Sequence, residues 1–302
     1  MNIDSKVVVV GETTFDCITT SSKISKNDTA TFLDSWMNCY GGRGANFAFH
    51  LRKHNKPLLV SAVGEDFTTR EYDKQLQGVD QSVLYRGKGK TPHVFICNDA
   101  TTEKVYFYPG VLDADREAFV QHVKSLDLSA CSLLYATSGI FEANLWAFRN
   151  FNRSSRVFGP GHEVAHHPED YLFEMLDMSN VLILNTHELR LLESRLSLNI
   201  RETFNKLSVI ETKGKNGASL RTEEQTFTVP AYKVPQVKNT SGAGDAFAAT
   251  FVRKISEGHN YFTACLYSSA SASLVVEQMG CQIALDEESI TARYELLEST
   301  IT

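Results

Sequence analysis

The segment Asn239–Phe247 has the sequence NTSGAGDAF and carries the most information in the chain. Small residues let a backbone approach a ligand closely, and a helix is predicted to begin here, so free N–H groups and the helix dipole favour an anion. Asp245 would lie beside that anion with the same sign of charge. This is unfavourable for anion binding alone, but it suits a base that accepts a proton from an attacking hydroxyl. The alternative is a glycine turn in which Asp245 only favours the helix N-terminus.

The second half of the chain alternates short apolar runs with helical patterns around this segment. Such alternation predicts a mainly parallel sheet with helices on both faces. Two long helices are expected to close the chain, one from about Gly242 to Glu257 and one from after Asn260 to Gly280. The predicted core strands lie at Leu133–Ala136, Val157–Phe158, Val181–Leu184 and Val209–Ile210.

The first half of the chain begins with a buried-type strand, Val7–Val10, which is followed by segments with a more exposed pattern. Residues 17–40 have the short alternations of strands that are half exposed to water. Gly41–Gly44 forms a glycine-rich turn that opens an amphipathic helix. Two alternating stretches, Val94–Cys97 and Val105–Tyr108, predict a β-hairpin. We expect the half-exposed strands to form a small lid outside the main sheet.

Composition and charge narrow the classes of function. The chain has 302 residues, of which 42% are hydrophobic and 22% charged, as in an ordinary globular protein. Its net charge of −6 argues against a general nucleic-acid surface, which needs a basic face. No apolar run approaches the roughly 18 residues of a membrane span. The six cysteines are scattered without a C-x-x-C motif and no signal-peptide pattern is present, so buried, unpaired cysteines and a cytoplasmic location are expected.

Four motifs resemble, in chain order, those of the ribokinase family, also called the PfkB family. Gly41–Asn46 is similar to the N-terminal signature of that family, and Thr240–Asp245 to its second signature. Asn185–Glu188 matches its N-x-x-E motif, and Thr212–Gly217 matches its T-x-G-x-x-G nucleotide loop. Four motifs in the same order over nearly the whole chain are far more specific than any one of them.

The resemblance implies both a fold and an organisation. The fold would be α/β, with a ribokinase-like three-layer doubly wound sheet and a small β lid. The chain would be a single kinase domain over residues 1–302, with the lid segments inserted at about 13–40 and 91–109. Exposed lid strands often pair with another copy in this family, so a homodimer through these strands is one expectation.

The resemblance also implies cofactors and site residues, with ATP as the donor and Mg²⁺ on its phosphates. Asp245 would be the base, and the helix dipole is expected to lower its pKa. The backbone of Gly242, Ala243 and Gly244 would form an anion hole for the transferred phosphoryl group. The implied acceptor-binding residues are Asp16, Gly42, Arg43 and Asn46. The implied ATP-binding residues are Asn185, Thr212, Gly214 and Gly217. The residues implied to hold Mg²⁺, through water, are Asn185 and Glu188.

Within the family, the details are most similar to the archaeal-type nucleoside kinases. The similar motifs are Gly11–Asp16 (G-x-T-x-x-D), Phe158–Gly161 (for F-D-P-G), Asn185–Glu188 (N-x-H-E) and Gly280–Gln282 (G-C-Q). This similarity implies transfer of the ATP γ-phosphate to the 5′-hydroxyl of a nucleoside. Two alternatives stay open: a ribokinase- or fructokinase-like sugar kinase, and a catalytically silent nucleoside- or sugar-binding regulator. The preferred base, the oligomeric state and the preferred donor are not predicted.

Three residues depart from the family pattern. Asn239 stands where the family usually has an Asp that helps to build a monovalent-cation site, so activation by K⁺ is in question. Gly159 replaces an Asp after a core strand, which removes a carboxylate near the phosphate-binding cleft. Glu12 replaces a neutral residue or a His, which could alter the preference for base or sugar.

Two other motifs are weaker alternatives. His162–His166 has the H-E-x-x-H pattern of zinc proteases, which requires a helix. Pro160 and Pro168 leave barely a turn and a half around it, so a polar loop whose first histidine faces the cleft is the better interpretation. Gly89–Thr91 resembles the end of a P-loop, but the first glycine of that motif would fall at Leu84, which excludes a phosphate cradle there.

Overall fold

The computed structural model describes residues 6–25, 30–54, 56–101, 103–153 and 155–301. Residues 26–29 and 102 of the predicted lid, and the ends of the predicted 1–302 domain, lie outside the described residues. The strands are β1 (Lys6–Val10), β2 (Thr14–Thr20), β3 (Ser35–Gly41), β4 (Leu58–Val60), β5 (Ala62–Val63), β6 (Tyr85–Arg86), β7 (His93–Asn98), β8 (Glu103–Tyr108), β9 (Cys131–Ala136), β10 (Arg156–Phe158), β11 (Val181–Asn185), β12 (Ser208–Thr212), β13 (Ala218–Arg221) and β14 (Thr226–Val229). The α-helices are α1 (Arg43–Leu51), α2 (Asp66–Thr69), α3 (Tyr72–Gln75), α4 (Val111–Ala114), α5 (Arg116–Lys124), α6 (Phe141–Asn150), α7 (Glu169–Met178), α8 (Thr186–Leu196), α9 (Ile200–Thr203), α10 (Ala243–Ser256), α11 (Tyr261–Val275) and α12 (Glu287–Ser299).

The main sheet has eight strands in the order β14-β13-β12-β11-β10-β9-β1-β4. The six neighbouring strands β12, β11, β10, β9, β1 and β4 are parallel to one another. Strands β13 and β14 add an antiparallel edge beside β12. Strand β1 is buried on both faces: Val7 and Val9 belong to one hydrophobic core, and Val8 and Val10 to the other. Helices cover both cores, which confirms the predicted three-layer α/β architecture. None of the helices in the described ranges is both long and apolar enough to span a bilayer.

The lid is a separate four-stranded sheet in the order β3-β2-β7-β8. Strands β2 and β7 are parallel, and the two outer pairs are antiparallel. Three residues separate the end of β1 from the start of β2, so the lid emerges at the carboxyl edge of the main sheet. Because the parallel strands β1, β11 and β12 all end at that edge, loops from distant parts of the sequence meet under the lid.

The end of the chain differs from the sequence prediction. Helix α11 ends at Val275 rather than at Gly280, because the carbonyl of Val276 accepts hydrogen bonds from the N–H groups of Lys238 (2.8 Å) and Asn239 (3.3 Å). That carbonyl therefore anchors the segment that leads into the signature. The two predicted long helices are also followed by a third, α12, whose N-cap Asp286 accepts from two N–H groups of the first turn.

Candidate active site

A cleft of about 350 Å³ lies between the lid and the carboxyl edge of the main sheet. It collects residues from all four sequence motifs, which are more than 200 positions apart at their extremes. The predicted site residues that line the cleft are Asp16, Gly42, Arg43, Asn46, Asn185, Glu188, Thr212, Gly242, Gly244 and Asp245. Of the remaining predicted residues, Gly214 lines a neighbouring opening, whereas Ala243 and Gly217 are not among the lining residues of either.

The N-terminus of α10 faces the cleft. Gly242 has a φ of +78°, and a Cβ added there would lie 2.6 Å from the carbonyl oxygen of Cys281, so this turn requires glycine. The N–H of Ala243 donates to the carbonyl of Thr240 at 3.3 Å. The next two N–H groups, of Gly244 and Asp245, have no carbonyl one turn earlier in the helix. Their donors and the positive end of the helix dipole give this corner of the cleft the character of an anion site.

Asp245 is buried, and both of its carboxylate oxygens accept hydrogen bonds. Asn46 Nδ2 donates to Oδ2 at 2.9 Å, and Arg43 Nε donates to Oδ1 at 3.2 Å. Burial raises the pKa of Asp245 above its ordinary value, and Arg43 and Asn46 only oppose this rise. The expectation that the helix dipole would lower this pKa is therefore wrong, because desolvation outweighs the dipole. A raised pKa makes the ionised carboxylate a stronger base.

Arg43 lines the cleft and lies between two carboxylates. Its guanidinium pairs with Asp245 and approaches Glu188, with Nη1 3.8 Å from Oε1. Burial opposes its charge, but these carboxylates hold the pKa of Arg43 above its usual range. Gly161 makes room for the guanidinium, since a Cβ at that position would overlap Nη1 at 1.6 Å.

The N-x-x-E motif forms a capping box at the start of α8. The side chain of Asn185 accepts the N–H of Glu188, and Glu188 Oε2 accepts the N–H of Asn185, both at 2.9 Å. This reciprocal pair fixes both side chains at the end of β11. It leaves Glu188 Oε1 outside this pair, 3.8 Å from Arg43 Nη1.

Asp16 lies on β2, on the lid side of the cleft, and is also buried. Its Oδ1 accepts a short hydrogen bond from the hydroxyl of Thr14. Gly41 lies directly beneath the carboxylate, where a Cβ would be 2.0 Å from Oδ2. Burial raises the pKa of Asp16 to about 6, and the charge of Asp245 adds to the rise.

A second opening of about 500 Å³ adjoins the cleft and shares Asn185 and Thr212 with it. It is also lined by Gly214 and by two basic side chains that were not predicted to be site residues, Arg190 and Lys213. The turn after β12 requires a glycine at Gly217, since a Cβ there would lie 2.0 Å from the carbonyl oxygen of Val229.

Two of the departures from the family pattern have structural explanations. A Cβ at Gly159 would lie 2.5 Å from the hydroxyl of Tyr135, which stacks on Phe47 with ring centroids 3.9 Å apart. The tyrosine thus occupies the space that an Asp would need. Glu12 lines the cleft: Ser138 donates to its Oε1 at 2.9 Å, and its Oε2 is buried without a hydrogen-bond partner. Burial and the nearby charge of Glu163 raise the pKa of Glu12 to about 8.

The H-E-x-x-H pattern lies in a 3-10 helix, Gly161–Ala165, rather than in an α-helix. His162 lines the cleft, as the sequence suggested. Glu163 Oε2 accepts the N–H of Gly139 at 2.7 Å and lies 3.2 Å from His167 Nε2. Its carboxylate is therefore occupied in holding the loop, which does not suit the base of a zinc protease.

One side of the cleft is an apolar wall that was not predicted from the sequence. Val94, Ile96 and Val105 project from the lid over the same space as Asp16. The register pairs Asp16 with Val94 and Ile96 with Val105, so these residues share one face of the lid sheet. The alternation in the hairpin contained this signal, but the sequence alone did not say which face would cover the site.

Comparisons with known proteins agree with this geometry. The model of the pfkB family carbohydrate kinases matches residues 4–288. A nucleoside kinase of Methanocaldococcus jannaschii is 27% identical over 93% of both chains, and one of Methanothermobacter thermautotrophicus is 28% identical, also over 93% of both. A ribokinase of Lactococcus lactis is 24% identical over 97% of this chain and 98% of its own. The crystal structure of the Methanocaldococcus jannaschii nucleoside kinase superposes with a TM-score of 0.85 over 97% of this chain and 98% of that one. This chain belongs to the PfkB family of carbohydrate kinases.

Proposed function

We propose that this protein is an ATP-dependent kinase that transfers the γ-phosphate of ATP to the 5′-hydroxyl of a nucleoside. The observation that carries the proposal is that Asp245 and the N–H groups of the first turn of α10 share one cleft with Asp16. This arrangement supplies a base, an anion site and a ligand for the acceptor's hydroxyls. Phosphoryl transfer requires mainly positioning and charge stabilisation of this kind.

In the proposed reaction, Asp245 accepts the proton of the attacking hydroxyl as the phosphoryl group leaves ADP. Asn46 and Arg43 hold its two oxygens in place, and the N–H groups of Gly244 and Asp245 stabilise the charge on the transferred group. Closure of the lid would exclude water, which otherwise competes as an acceptor. Asp16 accepts hydrogen bonds from two neighbouring hydroxyls of the ribose.

A nucleoside fits the cleft better than a free sugar. The lid places Val94, Ile96 and Val105 beside Asp16, and a free sugar offers much less apolar surface to this wall than a nucleobase does. A nucleobase has flat apolar faces and would gain from burial against these side chains. The names of the two archaeal relatives, nucleoside kinases, support the same choice over the ribokinase alternative.

In the N-x-x-E motif, one carboxylate oxygen is available to hold Mg²⁺. In the capping box, the Asn185 side chain and Glu188 Oε2 are already paired, whereas Glu188 Oε1 has only a longer contact of 3.8 Å with Arg43 Nη1, so Oε1 is the oxygen best able to hold a hydrated ion. A carboxylate that binds through water suits Mg²⁺, which dehydrates reluctantly. We therefore propose that Glu188 holds the ion through water and that Asn185 positions Glu188. When bound with ATP, Mg²⁺ would neutralise charge on the phosphates.

The outer face of the lid supports the proposed homodimer. Phe95, Tyr106 and Tyr108 lie on the face opposite the cleft and are each about half exposed, at 46%, 56% and 50%. A second copy could cover these aromatic side chains. Light scattering coupled to gel filtration tests this, with Tyr106→Lys expected to shift a dimer to a monomer. A monomeric wild-type protein would contradict it.

The cytoplasm is the proposed location.

A panel of acceptors tests the proposed function. The release of ADP from Mg-ATP is measured with adenosine, inosine, guanosine, cytidine and uridine, and with ribose, fructose and fructose 6-phosphate. At least one nucleoside should exceed every sugar in kcat/KM by more than about tenfold. A sugar at the top of the panel would support the sugar-kinase alternative. Thermal stabilisation by nucleosides without turnover would support the silent regulator.

A further inference from the structure

Three side chains with metal-binding atoms meet at the rim of the cleft. The carboxylate of Asp16 and the thiols of Cys39 and Cys281 have ligand atoms that all lie within 4.8 Å of one another. Among the residues that the structure describes, no other group of three His, Cys, Asp or Glu side chains has its ligand atoms this close together. Asp16 and Cys39 are paired neighbours on the lid strands β2 and β3, whereas Cys281 follows α11 in the main domain. The group therefore joins the lid to the main domain.

The spacing of these atoms is close to that of a tetrahedral zinc site. With Zn–S bonds of about 2.3 Å and Zn–O bonds of about 2.1 Å, the ligand atoms are about 3.6–3.8 Å apart. Cys281 Sγ is 4.0 Å from Asp16 Oδ2, and no pair in the group exceeds 4.8 Å. Movements of about 1 Å or less would bring the three atoms to bonding positions, which side-chain rotation can supply.

The oxygen of Asp16 that faces the thiols has no strong partner. Thr14 donates to Oδ1, whereas Oδ2 points towards Cys281 Sγ, a weak donor at 4.0 Å. The nearby charge that acts on Asp16 is another carboxylate, Asp245, rather than a cation. A buried carboxylate without a compensating cation is costly, so a bound cation would stabilise it.

We propose that Asp16, Cys39 and Cys281 form a binding site for Zn²⁺ or a similar thiophilic divalent ion. Two thiolates and a carboxylate are suitable ligands, and the fourth position faces the cleft, where water can enter. The ion would occupy the oxygen that Asp16 needs for the acceptor's hydroxyls, and it would hold the lid to the main domain. Zinc would thus inhibit the kinase by competing with its acceptor. The competition rests on the proposed function, whereas the metal binding does not.

Cobalt is the probe for the binding itself, because Co²⁺ takes the same ligands and thiolate–cobalt bonds absorb in the near ultraviolet. The full-length protein is reduced with a phosphine and titrated with Co²⁺, and Zn²⁺ then displaces the cobalt. Cys39→Ser removes one ligand. Cys17→Ser is the matched control, because Cys17 follows Asp16 on β2 and projects from the opposite face of the lid.

The expected result is one Co²⁺ per chain with a thiolate absorption band in wild type and in Cys17→Ser. In Cys39→Ser, affinity should fall by more than about tenfold, since even changes beyond the ligands cost about 10–100-fold. Circular dichroism and the melting temperature verify that both variants fold. A spectrum without thiolate absorption, or equal affinity in all three proteins, would overturn the proposal.

The inhibition is measured separately, with free Zn²⁺ buffered in the presence of Mg-ATP. Zinc should raise the KM for the nucleoside in wild type and Cys17→Ser, and at least tenfold more zinc should be needed in Cys39→Ser. Equal inhibition of all three proteins would contradict regulation through this site. Metal binding that the nucleoside does not weaken would support the site but contradict the role of Asp16 in holding the acceptor. A protein that turns over no acceptor but binds Co²⁺ as expected would refute the proposed function and leave the site standing.

Discussion

Replacing Asp245 by asparagine should slow phosphoryl transfer while leaving both substrates bound. The amide has the shape of the carboxylate but cannot take up the proton of the hydroxyl. In the structure the carboxylate accepts from Asn46 at 2.9 Å and from Arg43 at 3.2 Å, and an asparagine oxygen can keep only one of these two contacts.

The two consequences of Asp245→Asn differ in size. Loss of a general base costs about 10²–10⁴ in kcat, which corresponds to about 2.7–5.5 kcal/mol in the barrier. Loss of one hydrogen bond to a charged group costs about 1.5–3 kcal/mol of stability. Removal of a buried charge, which the raised pKa of Asp245 shows to be unfavourable, offsets part of that loss. The rate should therefore fall far more than the folded population does.

The assay combines kcat with calorimetric Kd values for ATP and for the nucleoside. Binding should change by less than about threefold, because the amide removes repulsion beside the phosphates rather than a contact with them. Asp66→Asn is the matched control: Asp66 is likewise a buried carboxylate in the first turn of a helix, α2, but it does not line the cleft. Its kcat should remain within about threefold of wild type.

A variant that binds both ligands and turns over within a fewfold of wild type would refute the role of Asp245 as the base. Asp245 would then be a residue of the helix start only. Glu12, which lines the same cleft and has an oxygen without a partner, would be the next base to test. An equal loss of activity in Asp66→Asn would mean that any buried carboxylate matters for folding. The loss of kcat in Asp245→Asn would then not identify Asp245 as the base.

Four further predictions concern the preferred acceptor, the pH dependence of that preference, the response to K⁺ and the packing at Gly159. Ribonucleosides should exceed 2′-deoxyribonucleosides by about ten- to a hundredfold in kcat/KM, because Asp16 loses a hydrogen bond; equal rates would remove that role. Since the pKa of Asp16 is about 6 and its ionised form accepts the hydroxyls, this preference should weaken as the pH falls through 6, and Asp16→Asn should abolish that dependence. With Asn239 in place of the Asp, activity should respond weakly to KCl at constant ionic strength; steep, saturable activation would show that the K⁺ site survives. Gly159→Ala should lower the free energy of unfolding by about 1–3 kcal/mol, because the added methyl group clashes with the Tyr135 hydroxyl. Adding Tyr135→Phe should recover part of this loss, whereas losses that simply add up in the double variant would contradict the contact.

The sequence predicted which residues would meet in the cleft where they lie in short motifs. The residues around Gly242 and Asp245 were recognisable because glycines, a helix start and a carboxylate stand next to one another. Their meeting with Asp16, some 230 positions away, follows from the fold, since parallel strands present their carboxyl ends at one edge. The three-layer fold was predictable for the same reason: alternation of strand and helix patterns leaves few other arrangements.

The parts that failed depend on contacts between distant residues. The end of α11 is set by Lys238 and Asn239, which bind the carbonyl of Val276, and no local pattern contains that information. The direction of the Asp245 pKa shift depends on burial, which only the packed structure reveals. The pairing of Arg43 with Asp245 and Glu188 was not predicted, because it depends on three segments that only the fold brings together.

Identification of the product tests the central claim most directly. Wild-type protein is incubated with Mg-ATP and the best nucleoside of the panel, and phosphorus NMR follows both products. We predict that one nucleoside 5′-monophosphate forms for each ADP released. Free phosphate in place of the monophosphate, or phosphate on another hydroxyl, would contradict the account of a 5′-hydroxyl activated by Asp245.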